Sequence, residues 1–383
     1  MSLAAFLAQK PLFYDKIDYE RFPRIYTSIK EHFVLPKVVH IVGTNAKGST
    51  GRALAHLLYK SGKNVGHYSS PHILKFNERI WFNGSDIDDE TLEIYHLKLQ
   101  KYLDKSSSEA LSYFEYTTLL AMLFFCDNCE YIILEAGLGG EYDATNVFDK
   151  ELSIVTPIGY DHEAFLGKSI EAIATTKINS VRNDLLLAKQ KEKEVYKIAL
   201  QRVDKIGKNL YLAQSYLEDE MYEKLFLHVK KLEYPSFLID NFATAFCAYA
   251  LLGYELDIKL LEGLKLFGRC QKVASNVTID VGHNPMAAEA LREHFSQRQV
   301  NLVYNSYNDK EYERILQILK PIIHQVEILP IENLRVVEQK KLLDVLEKLE
   351  IEYKIFDKIK EGEEYLVFGS FSVIEKFLKV YKV

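Results

Sequence analysis

The chain is 383 residues long, 48% hydrophobic and 27% charged, with 18 Gly and 9 Pro. That length suits two domains, and the composition builds a sizeable core and excludes a disordered or collagen-like chain. The 48 basic and 54 acidic residues leave a net charge of −6, which argues against nonspecific nucleic-acid binding as the main role.

The longest unbroken apolar run, Leu119 to Cys126, is eight residues, far below the roughly 20 that a membrane span needs. The opening Met1-Ser2-Leu3-Ala4-Ala5-Phe6-Leu7 carries no basic leader, so no signal peptide and no membrane association are expected. Four cysteines make no disulfide framework, and a reducing cytoplasm is the simplest location.

Two segments alternate strand and helix patterns. In the first, Val38 to Val42 reads as a buried strand ending at Gly43, followed by a helix from Ser49 to Tyr59 that stops at Ser61-Gly62. A helix over Phe114 to Phe125 precedes Cys126-Asp127-Asn128-Cys129. Tyr131 to Leu134 and Leu152 to Val155 are further strands. Short apolar strands separated by helices imply a parallel sheet with both faces covered. The charged region Arg182 to Lys231 follows, in which Lys189 to Glu194 reads as one solvated helix face. A helix over Asp240 to Leu252 closes the first domain. The second segment starts at Gly268. Its strands are Val277–Asp280, Asn301–Tyr304, Val326–Leu329 and Tyr365–Phe368, with helices through Ala287–Leu291 and Lys341–Leu349. The expected fold class is α/β, with two Rossmann-like domains over 1–267 and 268–383.

Gly43-Thr44-Asn45-Ala46-Lys47-Gly48-Ser49-Thr50 lies between a strand and a helix. There it exposes backbone N–H groups at a helix N-terminus, where phosphate binds. Lys47 can neutralise phosphate charge and Ser49 can reach magnesium. A Gly-rich turn that merely caps the helix is the plainer reading, because Gly follows the lysine where the strict P-loop pattern has Ser or Thr. Glu135 closes a strand before Gly137-Leu138-Gly139-Gly140. Parallel sheets bind ligands at that end, so it is either a metal ligand or a solvated strand end. His162, after Asp161, suits a metal or a proton. Three such side chains after three apolar strands point to one sheet edge. The C-x-x-C pair lacks a second pair and does not open a helix, so it reads as two ordinary thiols. The aromatic content reads as core packing.

Taken together, the motifs resemble the folylpolyglutamate synthase/dihydrofolate synthase family of the Mur ligase group. The resemblance rests on His40 to Ser49, Ser69-Ser70-Pro71-His72, Phe76-Asn77-Glu78-Arg79-Ile80, Phe114-Glu115-Tyr116, Glu135 to Gly140 and Asp143-Ala144-Thr145-Asn146-Val147. It continues through Asp161-His162 with Leu166-Gly167 and Lys177, Gly268-Arg269, Asp280 to Pro285, Asp309-Lys310 and Gly369-Ser370. It implies a larger N-terminal P-loop ATPase domain and a smaller C-terminal α/β ligase domain. It further implies an ATP-dependent, ADP-forming carbon–nitrogen ligase joining L-glutamate to dihydropteroate or a reduced folate through an acyl phosphate.

By matching position, the resemblance gives Lys47 the β/γ-phosphates and Gly43 to Thr50 the phosphate cradle. Ser49, Ser70 and Glu135 hold one magnesium, and His162 helps hold a second. Lys177 matches a lysine that the family carbamylates to N6-carboxylysine, assisting that second metal. Asn241, Arg269, Asp280 and His283 meet the nucleotide. Arg79, Phe114 and Tyr116 line the pterin pocket, and glutamate binds between domains that close to exclude water. A monomer with small-molecule partners and no nucleic acid is expected.

Ala46 departs from the family's glycine and costs about 1 kcal/mol if its φ is positive. Ile178-Asn179-Ser180 after Lys177 and Cys270-Gln271 after Arg269 also depart. Two alternatives remain. One is a nucleotide-binding protein of the same fold without ligase chemistry, for which Ala46 speaks. The other is a cell-wall amino-acid ligase, against which the short stretch before Gly43 and the Phe76 to Ile80 motif argue.

Overall fold

The computed structural model describes residues 1–11, 18–333 and 335–381. Backbone packing divides the chain into two compact units. The first comprises Met1–Ile158, His162–Leu225 and Asp240–Leu264; the second comprises Gly159–Asp161, Phe226–Ile239 and Lys265–Val383. The short excursions at Gly159–Asp161 and Phe226–Ile239 pack with the second unit, which a single division at residue 268 does not describe.

The first unit carries an eight-stranded sheet in the order β4-β3-β2-β5-β1-β6-β7-β8. Its strands are β1 (Lys37–Val42), β2 (Val65–Tyr68), β3 (Ile80–Phe82), β4 (Ser85–Asp86), β5 (Tyr131–Glu135), β6 (Leu152–Val155), β7 (Leu185–Leu187) and β8 (Leu210–Leu212). The β2–β3 and β3–β4 pairs are antiparallel, and the other pairs are parallel. Strands β2, β5 and β6 are buried at every position, and β1 at every position after Lys37. Continuous apolar strands of this kind are stable only with helices on both faces.

The apolar run from Leu119 belongs to the Tyr113–Asn128 helix, buried from Tyr116 to Phe125. A helix apolar all round belongs in a core. A capping box starts it: the Glu115 N–H donates to Ser112 Oγ and the Ser112 N–H donates to Glu115 Oε2. No described helix is long and apolar enough to cross a membrane.

The second unit carries a six-stranded sheet in the order β13-β12-β11-β14-β10-β9. Its strands are β9 (Gln271–Ala274), β10 (Val277–Asp280), β11 (Val300–Tyr304), β12 (Ile323–Ile328), β13 (Tyr353–Ile355) and β14 (Tyr365–Phe368). Only β9–β10 is antiparallel. Both sheets therefore match the α/β expectation.

The charged region differs from its reading as a helix face. The helix there is Lys193–Ile206, and Lys189 to Glu192 precede it. Gln190 is buried: its Oε1 accepts from the Ile158 N–H at 2.9 Å, and its Nε2 donates to the Ala188 carbonyl at 2.9 Å. One buried amide thus ties this segment to the chain just after β6. Strands β7 and β8, three residues each, are too short to announce themselves by periodicity.

Candidate active site

The Gly-rich loop, in which phosphate binding is expected, leaves β1 at Val42 and enters the Lys47–Lys60 helix. The Thr44 and Asn45 N–H groups donate to the Pro157 carbonyl at 3.0 and 3.1 Å, which anchors the loop to the segment after β6. Ala46 sits at φ 68°, ψ −2°, in the left-handed region just before the helix. The condition attached to Ala46 is therefore met, and the residue carries about 1 kcal/mol of backbone strain. Lys47 Nζ donates to the carbonyls of Gly43 at 3.0 Å and Thr44 at 3.2 Å. Ser49 Oγ donates to the Ala46 carbonyl at 3.2 Å and accepts from Asn241 Nδ2 at 2.9 Å. Asn241 thus stands beside the loop.

Glu135 ends β5, and Ser49 and His162 follow β1 and β6; these strands are adjacent in the order β5-β1-β6. Parallel strands bring their C-terminal ends to one edge, where such sheets bind ligands. Ser70 follows β2, the neighbour of β5. His162 takes the left-handed conformation (φ 53°) before the short Glu163–Leu166 helix. Glu135 is buried, and its Oε1 accepts a 2.7 Å bond from His67 Nε2 on β2.

Lys177 is buried on the Ile170–Ile178 helix, and its Nζ donates to the Gly43 carbonyl at 3.0 Å. Gly140 allows this approach: a Cβ there would stand 2.8 Å from the Lys177 carbonyl oxygen. The same loop is clamped by buried Asp143. That carboxylate accepts from the N–H groups of Gly137, Leu138 and Thr145, each at 2.9 Å, and from Thr145 Oγ1 at 2.6 Å. Burial raises the Asp143 pKa, and these bonds oppose the rise.

The hydroxyls of Ser49 and Ser70 and the Glu135 carboxylate are hard oxygen donors of the kind magnesium takes. Among the described residues no three His, Cys, Asp or Glu side chains gather into a metal-binding group. A single carboxylate with hydroxyls fits a cation that keeps water and phosphate oxygens in its shell.

Arg79 donates from Nε to His72 Nδ1 at 2.8 Å, and its guanidinium lies 5.3 Å from the Tyr113 ring centre. The Phe114 ring lies tilted against Tyr68, 5.9 Å between centres, and would meet any Cβ at Gly137. Tyr116 is not brought to this group. It is 0% exposed in the core, with its ring on Phe6 and its hydroxyl bonded to His96 Nδ1 at 2.7 Å and Gln100 Nε2 at 2.8 Å. Glu78 accepts from the Ile73, Leu74 and Lys75 N–H groups, so it shapes the loop that presents Arg79.

In the second unit, Arg269 lies 5.9 Å from the Phe371 ring centre, and His283 packs near the same ring. Asp280 is buried and accepts from the Cys270 and Gly282 N–H groups at 2.8 and 2.7 Å. Burial raises its pKa, and nearby Arg269 opposes this. The Cys270 that follows Arg269 is held at φ 44°. Lys310 Nζ meets Asp161 Oδ1 at 2.6 Å, and His283 Nε2 lies 3.7 Å from Asp161 Oδ2.

His67 escaped the sequence reading, because a lone histidine inside an apolar strand gives no pattern. The thiols agree with theirs: all four cysteines are free, and burial pushes the Cys126 thiol up to about 12.

No family model matches the chain. It is 39% identical to Helicobacter pylori folylpolyglutamate synthetase, over 98% of this chain and 97% of that one, with a TM-score of 0.79. It is 26% identical to Escherichia coli FolC in complex with DHPP and ADP, over 99% and 97% of the two chains, with a TM-score of 0.82. It is also 29% identical to the dihydrofolate synthase/folylpolyglutamate synthase of Haemophilus influenzae, over 90% of this chain and 89% of that protein. With these similarities spanning nearly its whole length, the chain belongs to the dihydrofolate synthase/folylpolyglutamate synthase family of the Mur ligase superfamily.

Proposed function

We propose that this protein is an ATP-dependent, ADP-forming ligase that joins L-glutamate to the carboxylate of a pterin. The convergence of Lys47 and Lys177 on the phosphate loop carries the reading, beside a strand-end carboxylate at Glu135. The E. coli relative bound to DHPP and ADP supports it.

A carboxylate is a poor acyl donor. Its oxygen attacks the γ-phosphorus of ATP, ADP departs, and an acyl phosphate forms. The neutral amine of glutamate then attacks the carbonyl carbon, phosphate leaves, and one proton is lost as the amide forms. The protein's work is positioning and charge stabilisation. Lys47 and the loop N–H groups of Gly43 to Thr50 bind the β/γ-phosphates. Asn241 holds Ser49 in place. Arg79, with Phe114 and the adjacent Tyr113, receives the pterin end. Arg269, Asp280 and His283 serve the nucleotide, and Asp280 acts by shaping the turn around Gly282.

Ser49, Ser70 and Glu135 would hold one magnesium, and His162 with Lys177 would serve a second. Bound there, magnesium would supply positive charge to offset that of the phosphates. Lys177 takes up carbon dioxide as a carbamate: its neutral amine bonds the carbon and loses one proton. In this reading the protein acts as a monomer in the cytoplasm.

The test is ADP release with ATP and magnesium, with pterin and glutamate supplied separately and together. Release that needs both substrates supports a ligase. ATP binding without release under any combination would favour a nucleotide-binding protein that lacks the chemistry.

A further inference from the structure

We propose that His67 is a positioning residue for the divalent-metal site, holding the Glu135 carboxylate in its metal-binding orientation through one N–H···O bond. The proposal rests on the reading of Glu135 as a metal ligand.

The sheet register sets up the pair. In the parallel β2–β5 pairing, His67 stands opposite Ile133. Glu135 lies two residues further along β5, so both side chains share a face. The two side chains are 1% and 4% exposed, and the nitrogen–oxygen distance is 2.7 Å. A carboxylate only accepts, so Nε2 carries the hydrogen. His67 Nδ1 has no hydrogen-bond partner among the described residues. The ring is therefore fastened at one atom, and that atom serves Glu135 Oε1. With Oε1 engaged, Oε2 is the oxygen left for a cation. Second partners of this kind orient metal-ligating carboxylates in many sites.

Gly51 supplies an independent observation. It lies inside the Lys47–Lys60 helix, two residues past Ser49, where glycine is unfavourable relative to alanine. A Cβ there would stand 2.7 Å from His67 Nε2 and 3.3 Å from Glu135 Oε1. The helix that carries the phosphate loop thus packs its bare backbone against the pair, and Ser49 and Glu135 are fixed relative to one another through it.

The experiment measures manganese binding to the full chain by electron paramagnetic resonance, with and without ADP, alongside thermal unfolding. His67→Leu keeps the bulk and removes the donor. His67→Gln restores a donor at similar reach, and His67→Asn supplies one too short to reach Oε1. The Leu and Asn variants are expected to bind manganese about 10- to 100-fold more weakly, with Gln recovering most of the loss. Gly51→Ala is expected to weaken manganese binding in the same direction. Wild-type affinity in a folded His67→Leu protein would overturn the proposal. If that variant does not fold, equal affinities for the Gln and Asn variants would overturn it instead. Glu135→Gln separates the two layers. Unchanged manganese affinity in that variant refutes Glu135 as a ligand, whereas a loss there with none at His67 refutes only the positioning role.

Discussion

Lys47 and Lys177 donate to the same acceptor, the carbonyl oxygen of Gly43, each at 3.0 Å. Two bonds to one oxygen bring two ammonium groups within about 6 Å of each other, and like charges that close are costly where water is scarce. An anion relieves the cost in either of two ways. Phosphate can sit against both, or one ammonium can become a carbamate. Both follow from one arrangement, and each has its own test.

Lys47→Ala removes the lysine that the loop itself carries. Substrate-dependent ADP release is expected to fall at least about 100-fold, the scale of losing a preorganised charge at a transferring group. Circular dichroism and the unfolding midpoint should stay as in the parent. Normal turnover in a folded variant would contradict the phosphate-loop assignment.

For Lys177 the observable is the carbamate. Carbon-13 bicarbonate is expected to give a carbamate signal that disappears in Lys177→Ala, and enzyme stripped of carbon dioxide should regain activity when bicarbonate returns. A fully active preparation without the signal would contradict the modification.

Ala46 at φ 68° predicts a gain from glycine. Ala46→Gly should stabilise the protein by up to about 0.5 kcal/mol in urea unfolding, because the left-handed strain relieved exceeds the added chain entropy of the unfolded state. A loss of stability of similar size would show that the loop does not hold this conformation in solution.

Tyr116 and Arg79 are expected to separate cleanly. Tyr116→Phe should cost about 1–2 kcal/mol of stability through the buried bonds to His96 and Gln100 and leave the KM for pterin unchanged. Arg79→Ala should raise that KM. A raised KM for Tyr116→Phe with unchanged stability would return the tyrosine to the pocket.

His40 predicts a pH dependence of stability. Thr145 Oγ1 gives its hydrogen to Asp143, so His40 Nε2 donates to Thr145 at 2.8 Å, and its buried Nδ1 has no hydrogen-bond partner among the described residues. Burial holds its pKa well below 6.5. The unfolded chain then binds the extra proton first, so stability is intact above the unfolded pKa and is lost as pH falls below it. The loss reaches up to about 2 kcal/mol by about pH 5. Urea unfolding should show His40→Gln losing less than the parent over this window; parallel losses would contradict the assignment.

The local features were readable from the chain. A strand, a Gly-rich turn and a helix placed the Gly43 to Thr50 loop, and the strand that ends in Glu135 placed a carboxylate at the sheet edge. What stayed hidden depends on facing and on distant partners. Phe114 and Tyr116 are neighbours in a motif, but residues two apart on a helix point to different sides. One faces Gly137, and the other faces the core. His67 gains its meaning only when β2 pairs with β5. Gln190 looked like one more polar residue in a charged run, until its amide met the Ile158 N–H.

The most direct test of the ligase reading follows oxygen. Dihydropteroate carrying oxygen-18 in its carboxylate is incubated with ATP, magnesium, glutamate and the enzyme, and the released phosphate is analysed by mass spectrometry. An acyl phosphate passes one carboxylate oxygen to phosphate for each amide made, so labelled phosphate in step with glutamate incorporation is the expected result. Glutamate incorporation with unlabelled phosphate would contradict the mechanism, and ATP turnover without incorporation, with tetrahydrofolate tried as well, would contradict the function.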